Sequence, residues 1–206
     1  GSLNRLRRER VELFSFQLWD YPLDKAGEVL ATLDSLVSEG KVRSYCWLTD
    51  DPERVRFFAQ GAHCAATGQL MNVMECNPSL IALCEELNLP ILVRRPLGMG
   101  LLTGKFTAAS EFADNDMRKR FGWNFKVPKH ADKLARLERL RAVLTRDGRT
   151  LAQGALAWVW ARSPLAVPVP GFKTLAQLEE NVGATAFGPL TAEDMSDIEH
   201  ALQPEA

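Results

Sequence analysis

Trp19, Asp20 and Tyr21 follow the first apolar run of this chain, Val11–Phe16. They bring a carboxylate and a phenol together, one able to accept a proton and one able to donate it. Loop packing ahead of Pro22 is the plainer role for the same residues. Arg94 and Arg95 end a later apolar run. They are either two forks for a carboxylate or phosphate, or two solvated charges. Thr174 begins a helical segment whose N-terminus is an anion site, although a cap is needed there in any case. The cysteines Cys46, Cys64, Cys76 and Cys84 form no CxxC pair, and His63, His130 and His200 are scattered. No metal site is therefore expected, and free thiols in a reducing cytoplasm fit best. Cys46, beside the bulky Trp47, suits core packing better than nucleophilic attack.

The elements that must position these groups alternate. Val11–Phe16, Val42–Leu48, Cys64–Met71, Leu89–Val93 and Ala166–Pro170 read as strands. Between them, Asp24–Glu39 has one apolar face and a Gly40 stop, and Asp51–Pro52 opens a helix ending near Gly61. Asn77–Pro78 caps another. Ala131–Leu144, Leu151–Ala161, Thr174–Ala186 and Thr191–Leu202 complete the set, with Thr191 and Asp194 as a variant capping box. Five strands separated by helices predict an α/β fold with a parallel sheet. From Arg94 to about Lys129 no periodicity holds, and irregular stretches of that length are usually functional or mobile. Within it, Phe121, Trp123 and Phe125 follow the mixed-charge patch Asp114–Arg120.

The chain has 206 residues, 46% hydrophobic and 25% charged, enough for one domain with its own core. A net charge of −1 gives no field to draw nucleic acid or an anionic membrane. Runs such as Leu151–Ala161 are too short to span a bilayer. Gly1–Ser2 without a starting Met reads as an expression scar.

Four segments carry a resemblance. They are Val11-Glu-Leu-Phe-Ser-Phe-Gln-Leu-Trp-Asp-Tyr21, Glu39-Gly-Lys-Val-Arg-Ser-Tyr-Cys-Trp-Leu-Thr-Asp-Asp51, Arg95-Pro-Leu-Gly-Met-Gly-Leu-Leu-Thr-Gly-Lys105 and Pro168-Val-Pro-Gly-Phe-Lys-Thr-Leu-Ala-Gln-Leu-Glu-Glu-Asn181. In order and spacing they are similar to the fourth strand, the fifth strand, the loop after the seventh strand, and the eighth strand with its cofactor helix, in the aldo-keto reductase family. The resemblance implies an incomplete TIM-type (β/α) barrel of about five parallel strands and surrounding helices, a single domain over residues 1–206. A full barrel takes about 250 residues. The first three βα units, which in the family supply the catalytic aspartate, tyrosine and lysine, have no counterpart in the sequence.

Further departures follow from the same alignment. Gln17 stands where the family has a histidine, and it donates a hydrogen bond but does not titrate. Leu48-Thr49 replaces a Ser-Asn or Ser-Thr pair, Cys46 a glycine, and Gly68, with Gln69 beside it, a carboxamide-binding glutamine. Each lost contact leaves an amide short of a partner at roughly 1–3 kcal/mol. The cofactor's far end is better matched, by Gly171, Lys173, Thr174, Gln177, Glu180 and Asn181. The resemblance thus implies a relative that has lost hydride transfer and binds or transforms a small, largely apolar molecule at the C-terminal barrel face, as a cyclase, isomerase or lyase would. Gln17, Asp20 and Tyr21 are its catalytic candidates, and Trp19, Cys46, Leu48, Gln69, Arg94 and Arg95 line its pocket. NADP(H) is then either unneeded or weakly held. The alternatives are an NADP-dependent carbonyl oxidoreductase seen without its N-terminal half, and a non-enzymatic regulatory subunit. Open sheet edges predict a homodimer or a complementary barrel fragment as partner.

Overall fold

A computed structural model of the chain describes residues 1–203. The chain falls into two compact units. The first holds Gly1–Leu70, Asn77–Arg94 and Leu165–Val167; the second holds Met71–Cys76, Arg95–Pro164 and the described residues from Pro168 onward.

The first unit is built on a five-stranded parallel sheet, with the strands in sequence order. They are β1 (Val11–Phe16), β2 (Val42–Leu48), β3 (Cys64–Leu70), β4 (Ile91–Arg94) and the short β5 (Ala166–Pro168). β1 and β5 are its edges, so the sheet is open. β5 stops two residues earlier than the sequence suggests. Pro168 and Pro170 lack the amide hydrogens that would carry the ladder on. The helices are α1 (Ser2–Leu6), α2 (Ala26–Ser38), α3 (Pro52–Phe58) and α4 (Pro78–Glu86). α1 was not expected from the sequence, and none of its residues is buried. Asp51 and Asn77 cap α3 and α4 by accepting from Glu53 N and Leu80 N, each with proline at the first helical position.

Side-chain alternation sorts β2 into two faces. Tyr45 and Trp47 pack with Ala26 and Leu33 of α2 and Phe58 of α3 in one core cluster. Burial, then the Asp34 carboxylate that accepts from its hydroxyl at 2.9 Å, pushes the Tyr45 phenol up to about 12. Cys46 and Leu48 take the other face of the strand.

The second unit is helical. Its members are α5 (Met117–Arg120), α6 (Pro128–Leu144), α7 (Leu151–Arg162), α8 (Leu175–Gly183) and α9 (Ala192–Leu202). α7 is its buried centre, with eight residues from Leu151 to Val159 out of solvent. Thr150 and Gln153 cap it reciprocally. The stretch after Arg94, expected to be irregular, holds a 3₁₀ segment (Gly98–Thr103) as well as α5.

Candidate functional site

At the C-terminal rim of the sheet, in the first unit, Asp50 ties the strand ends together. Its Oδ1 accepts from Leu70 N at 2.6 Å and its Oδ2 receives Arg94 Nη2 at 2.6 Å. The Arg94 guanidinium lies 4.5 Å from the centroid of the Trp19 ring. Arg54, paired with Asp51 at 3.1 Å, donates to the carbonyls of Trp19 (2.8 Å) and Leu18 (3.4 Å). Two arginines therefore hold the segment that carries Gln17, Trp19, Asp20 and Tyr21. Gln17 and Asp20 are exposed, whereas Tyr21 is half-buried with its ring edge-on to Phe16 at 5.7 Å.

The pocket residues expected on β2 and β3 separate. Cys46 is fully buried, its thiol 3.3 Å from Ser15 Oγ and pushed up by burial, which suits packing rather than attack. Leu48 pairs in register with Gly68. A Cβ at position 68 would stand 2.2 Å from Leu48 Cδ2 and 3.3 Å from the Leu92 carbonyl oxygen. Leu48 therefore occupies the space in which a side chain at 68 would begin. Gln69 faces the other way, towards α4: it is fully buried, with Nε2 3.9 Å from Cys84 Sγ and Oε1 without a partner. It is not brought together with Leu48.

The second unit contains a cleft of about 770 Å³. One wall is the turn after Arg95, where Gly98, Met99 and Gly100 all have positive φ, a conformation that glycine adopts without strain. A second wall is the segment Asn115–Arg118, and a third is Gly171–Lys173 with Gln177, Glu180 and Asn181. Thr174 caps α8 by accepting from Gln177 N at 3.3 Å. Gln177 in turn accepts from Lys173 N at 2.7 Å, so this corner is fixed by its own hydrogen bonds.

The charges on these walls are mostly positive. Arg118 is held by Asp116 through two contacts, at 2.8 and 2.5 Å, and sits between the rings of Phe106 and Phe112 at 4.9 and 4.8 Å. The hydrogen bonds from Arg118 hold the Asp116 carboxyl well below the usual range. Among the described residues Lys105 has no such carboxylate contact. Burial first, then Arg118 and Lys173, lower its pKa. Asn181 is 8% exposed and its Nδ2 has no hydrogen-bond partner among the described residues. A buried amide nitrogen of this kind, lining a cleft, is a donor awaiting an acceptor.

Of the residues read from the sequence, the cleft gathers Arg95, Gly171, Lys173, Gln177, Glu180 and Asn181. Trp19 and Arg94 meet at the rim, and Arg94 is already matched by Asp50. Lys105 and the Asp116–Arg118 pair were not singled out as site residues, and neither was Asp50. Lys105 ends the third quoted segment, so its place beside Lys173 was the accessible clue. Nothing local to Asp50 marks it, because its partner stands 44 residues away. Among the described residues no three metal-ligating side chains cluster, and no helix is long and apolar enough to cross a membrane.

A parallel sheet with its strands in sequence order and helices between them, together with this basic cleft, defines a (β/α)-barrel type of protein with the sheet left open. The chain belongs to the Aldo/keto reductase family, whose match spans residues 1–203. It is 30% identical over 206 residues to aldo-keto reductase str7 of Strobilurus tenacellus, covering 96% of this chain and 59% of that protein. It is 25% identical to the NADP(+) aldo-keto reductase yakc of Schizosaccharomyces pombe, covering 89% of this chain and 55% of that protein. Among solved structures, a glycerol dehydrogenase from Gluconobacter oxydans superposes on all of this chain and 64% of its own, with a TM-score of 0.83 and 26% identity. An aldo-keto reductase from Bacillus halodurans in its apo form, at 22% identity and a TM-score of 0.75, shares the fold. The chain thus spans under three fifths of the length of these curated relatives.

Proposed function

We propose that the second unit binds NADP(H), and that the chain is the cofactor-binding portion of a carbonyl oxidoreductase. The observation that supports this most is the basic cleft with the unpartnered Asn181 amide on its wall. The residues fit the group chemically. Lys105, Arg118 and Lys173 would take phosphate oxygens. Asn181 would donate to a ring nitrogen of the base. Burial, then repulsion from Arg118 and Lys173, lowers the pKa of Lys105, and a phosphate beside it would offset that repulsion. The NADP(+) in the printed name of the yeast relative points the same way.

Bound there, the cofactor would supply hydride; the chain's own residues bind and orient. Gln17, exposed at the end of β1, can donate a hydrogen bond to a carbonyl oxygen but cannot deliver a proton near neutral pH. Asp20 and Tyr21 are the titratable groups nearest to it in sequence. A second reading, non-redox chemistry on an apolar molecule, draws support from Leu48, which covers Gly68 with hydrocarbon where the family resemblance leads one to expect polar groups.

Titrating the chain with NADPH and NADH decides between them. NADPH should bind at least about tenfold tighter, the worth of one or two charge-assisted contacts to the extra phosphate, and Lys173→Glu should erase the difference. No NADPH binding at about 1 mM would remove the proposal. Carbonyl reduction at an ordinary turnover of about 1 per second or faster would remove the second reading.

A further inference from the structure

We propose that Asp50, Arg94 and Trp19 form a specificity device at the rim of the sheet, one that selects a planar, uncharged ligand and rejects its anionic counterpart. The inference deepens the reading of the chain as a small-molecule oxidoreductase by naming the class of molecule its rim would take. It rests on that reading only for the word substrate, because the geometry is complete within the first unit.

The indole of Trp19 is 50% exposed although the Arg94 guanidinium packs against it at 4.5 Å. One part of the ring is backed and another is open. Its backbone is pinned from a second direction by Arg54, which donates to the Trp19 and Leu18 carbonyls. An aromatic side chain held at both backbone and ring loses little entropy when a flat molecule stacks on it.

The charges decide which flat molecule. A lone guanidinium at this position would attract carboxylates and phosphates. Arg94 is not alone, since Asp50 takes its Nη2 at 2.6 Å and Arg94 is left only 15% exposed. Arg54 is likewise met by Asp51 at 3.1 Å. The exposed carboxylate of Asp20 stands next to Trp19 in the chain. Both cations are thus met by carboxylates and largely out of solvent, and the Arg94 Nε that has no partner among the described residues is buried, so an arriving anion is offered little uncompensated positive charge. Asp50 acts through Arg94 and is a positioning residue. Its other oxygen holds Leu70 N, so both oxygens are already engaged.

The test follows the indole N–H signal of Trp19 by NMR, assigned with Trp19→Phe, while benzamide or benzoate is added to the full chain. The wild-type signal should respond to benzamide at concentrations at least about tenfold below those needed for benzoate, the worth of one charge-assisted contact withheld. Asp50→Asn keeps an oxygen for Leu70 N but frees the Arg94 charge. It should reverse the preference, and Asp50→Glu should restore it. A merely structural Asp50 would alter both affinities together. Should Asp50→Asn not fold, Arg94→Met serves: it should weaken the benzamide response and give benzoate no gain. A Trp19 signal silent to both probes, or a preference that neither variant moves, overturns the inference. NADPH titrated into the same samples separates the two claims. Binding of NADPH with a silent Trp19 sinks this one alone, and a Trp19 response without NADPH binding sinks the cofactor reading alone.

Discussion

Replacing Gly68 by alanine adds one methyl group where the structure has no room for it. The new Cβ would lie 2.2 Å from Leu48 Cδ2, far inside contact distance, and 3.3 Å from the Leu92 carbonyl oxygen. The Leu48 side chain must turn away, and an off-rotamer chain costs about 0.5–1.5 kcal/mol. Crowding at the carbonyl brings the gross cost to roughly 1–3 kcal/mol. Against this, alanine restricts the unfolded chain and returns about 0.4–1 kcal/mol. The net expectation is a loss of about 1–2 kcal/mol, a fall of roughly 2–8 °C in Tm for a chain of this size. Leu48→Ala, which empties a half-buried site, should cost a similar ~1–2 kcal/mol. The double variant is the informative one. With Leu48 shortened the clash is gone, so it should be more stable than the sum of the singles predicts by about 1 kcal/mol. Urea unfolding followed by tryptophan fluorescence measures all four proteins. Singles that add to within about 0.3 kcal/mol would refute the claim that Leu48 and Gly68 share one space.

Gly154→Ala in α7 sets propensity against packing. Alanine would gain about 1 kcal/mol as a helix former, but its Cβ would stand 2.0 Å from the backbone oxygen of Leu144, so a net loss of about 2 kcal/mol or more is expected in the same unfolding assay. Asp194→Asn should cost about 3–5 kcal/mol at neutral pH, because it leaves Arg149, 3% exposed and 3.2 Å away, without its buried carboxylate. Burial pushes the Asp194 pKa up, but its hydrogen bonds from Arg146 and Arg149 win and hold it lowered. Its contribution is therefore present above the ordinary carboxylate range and lost as pH falls through the folded pKa, so melting curves of wild type and variant should converge in acid. Lys105→Met should raise Tm at neutral pH while weakening NADPH binding. The lowered Lys105 pKa means that the folded state carries this charge at a cost, which in the wild type is full below the folded pKa and fades as pH rises from there to the ordinary lysine value. Light scattering should give a dimer mass if the two open edges of the sheet are used between copies, and a monomer mass would remove that expectation.

How much of this was legible depended on the range of the interactions. β1 and β2 were read to the residue, because a largely apolar run opened by a basic residue and closed by a polar one is a local signal. The caps of α3, α4 and α7 were equally local, each a short side chain reaching an amide two or three residues on. The stretch after Arg94 was not legible. Its order comes from left-handed turns at Gly98, Met99 and Gly100, from the Asp116–Arg118 pair and from rings packed around Arg118, none of which has a helical or strand period. The placing of Gln69 in the pocket also had a local remedy. Side chains alternate along a strand, so Gln69 had to face away from whatever Gly68 faces.

That alternation bears on how the departures from the family pattern fit together. Read singly, Leu48 and Gly68 are two lost hydrogen-bonding groups. Paired in register, they are one steric unit, since a leucine on β2 can lie across β3 only where β3 has no Cβ. Restoring a polar side chain at 68 alone would therefore produce a clash before it produced a contact. Shortening 48 alone would open an apolar notch with nothing polar in it. A polar pocket on this face requires both changes at once, and this is why the two substitutions are better understood as one packed apolar surface than as two separate losses.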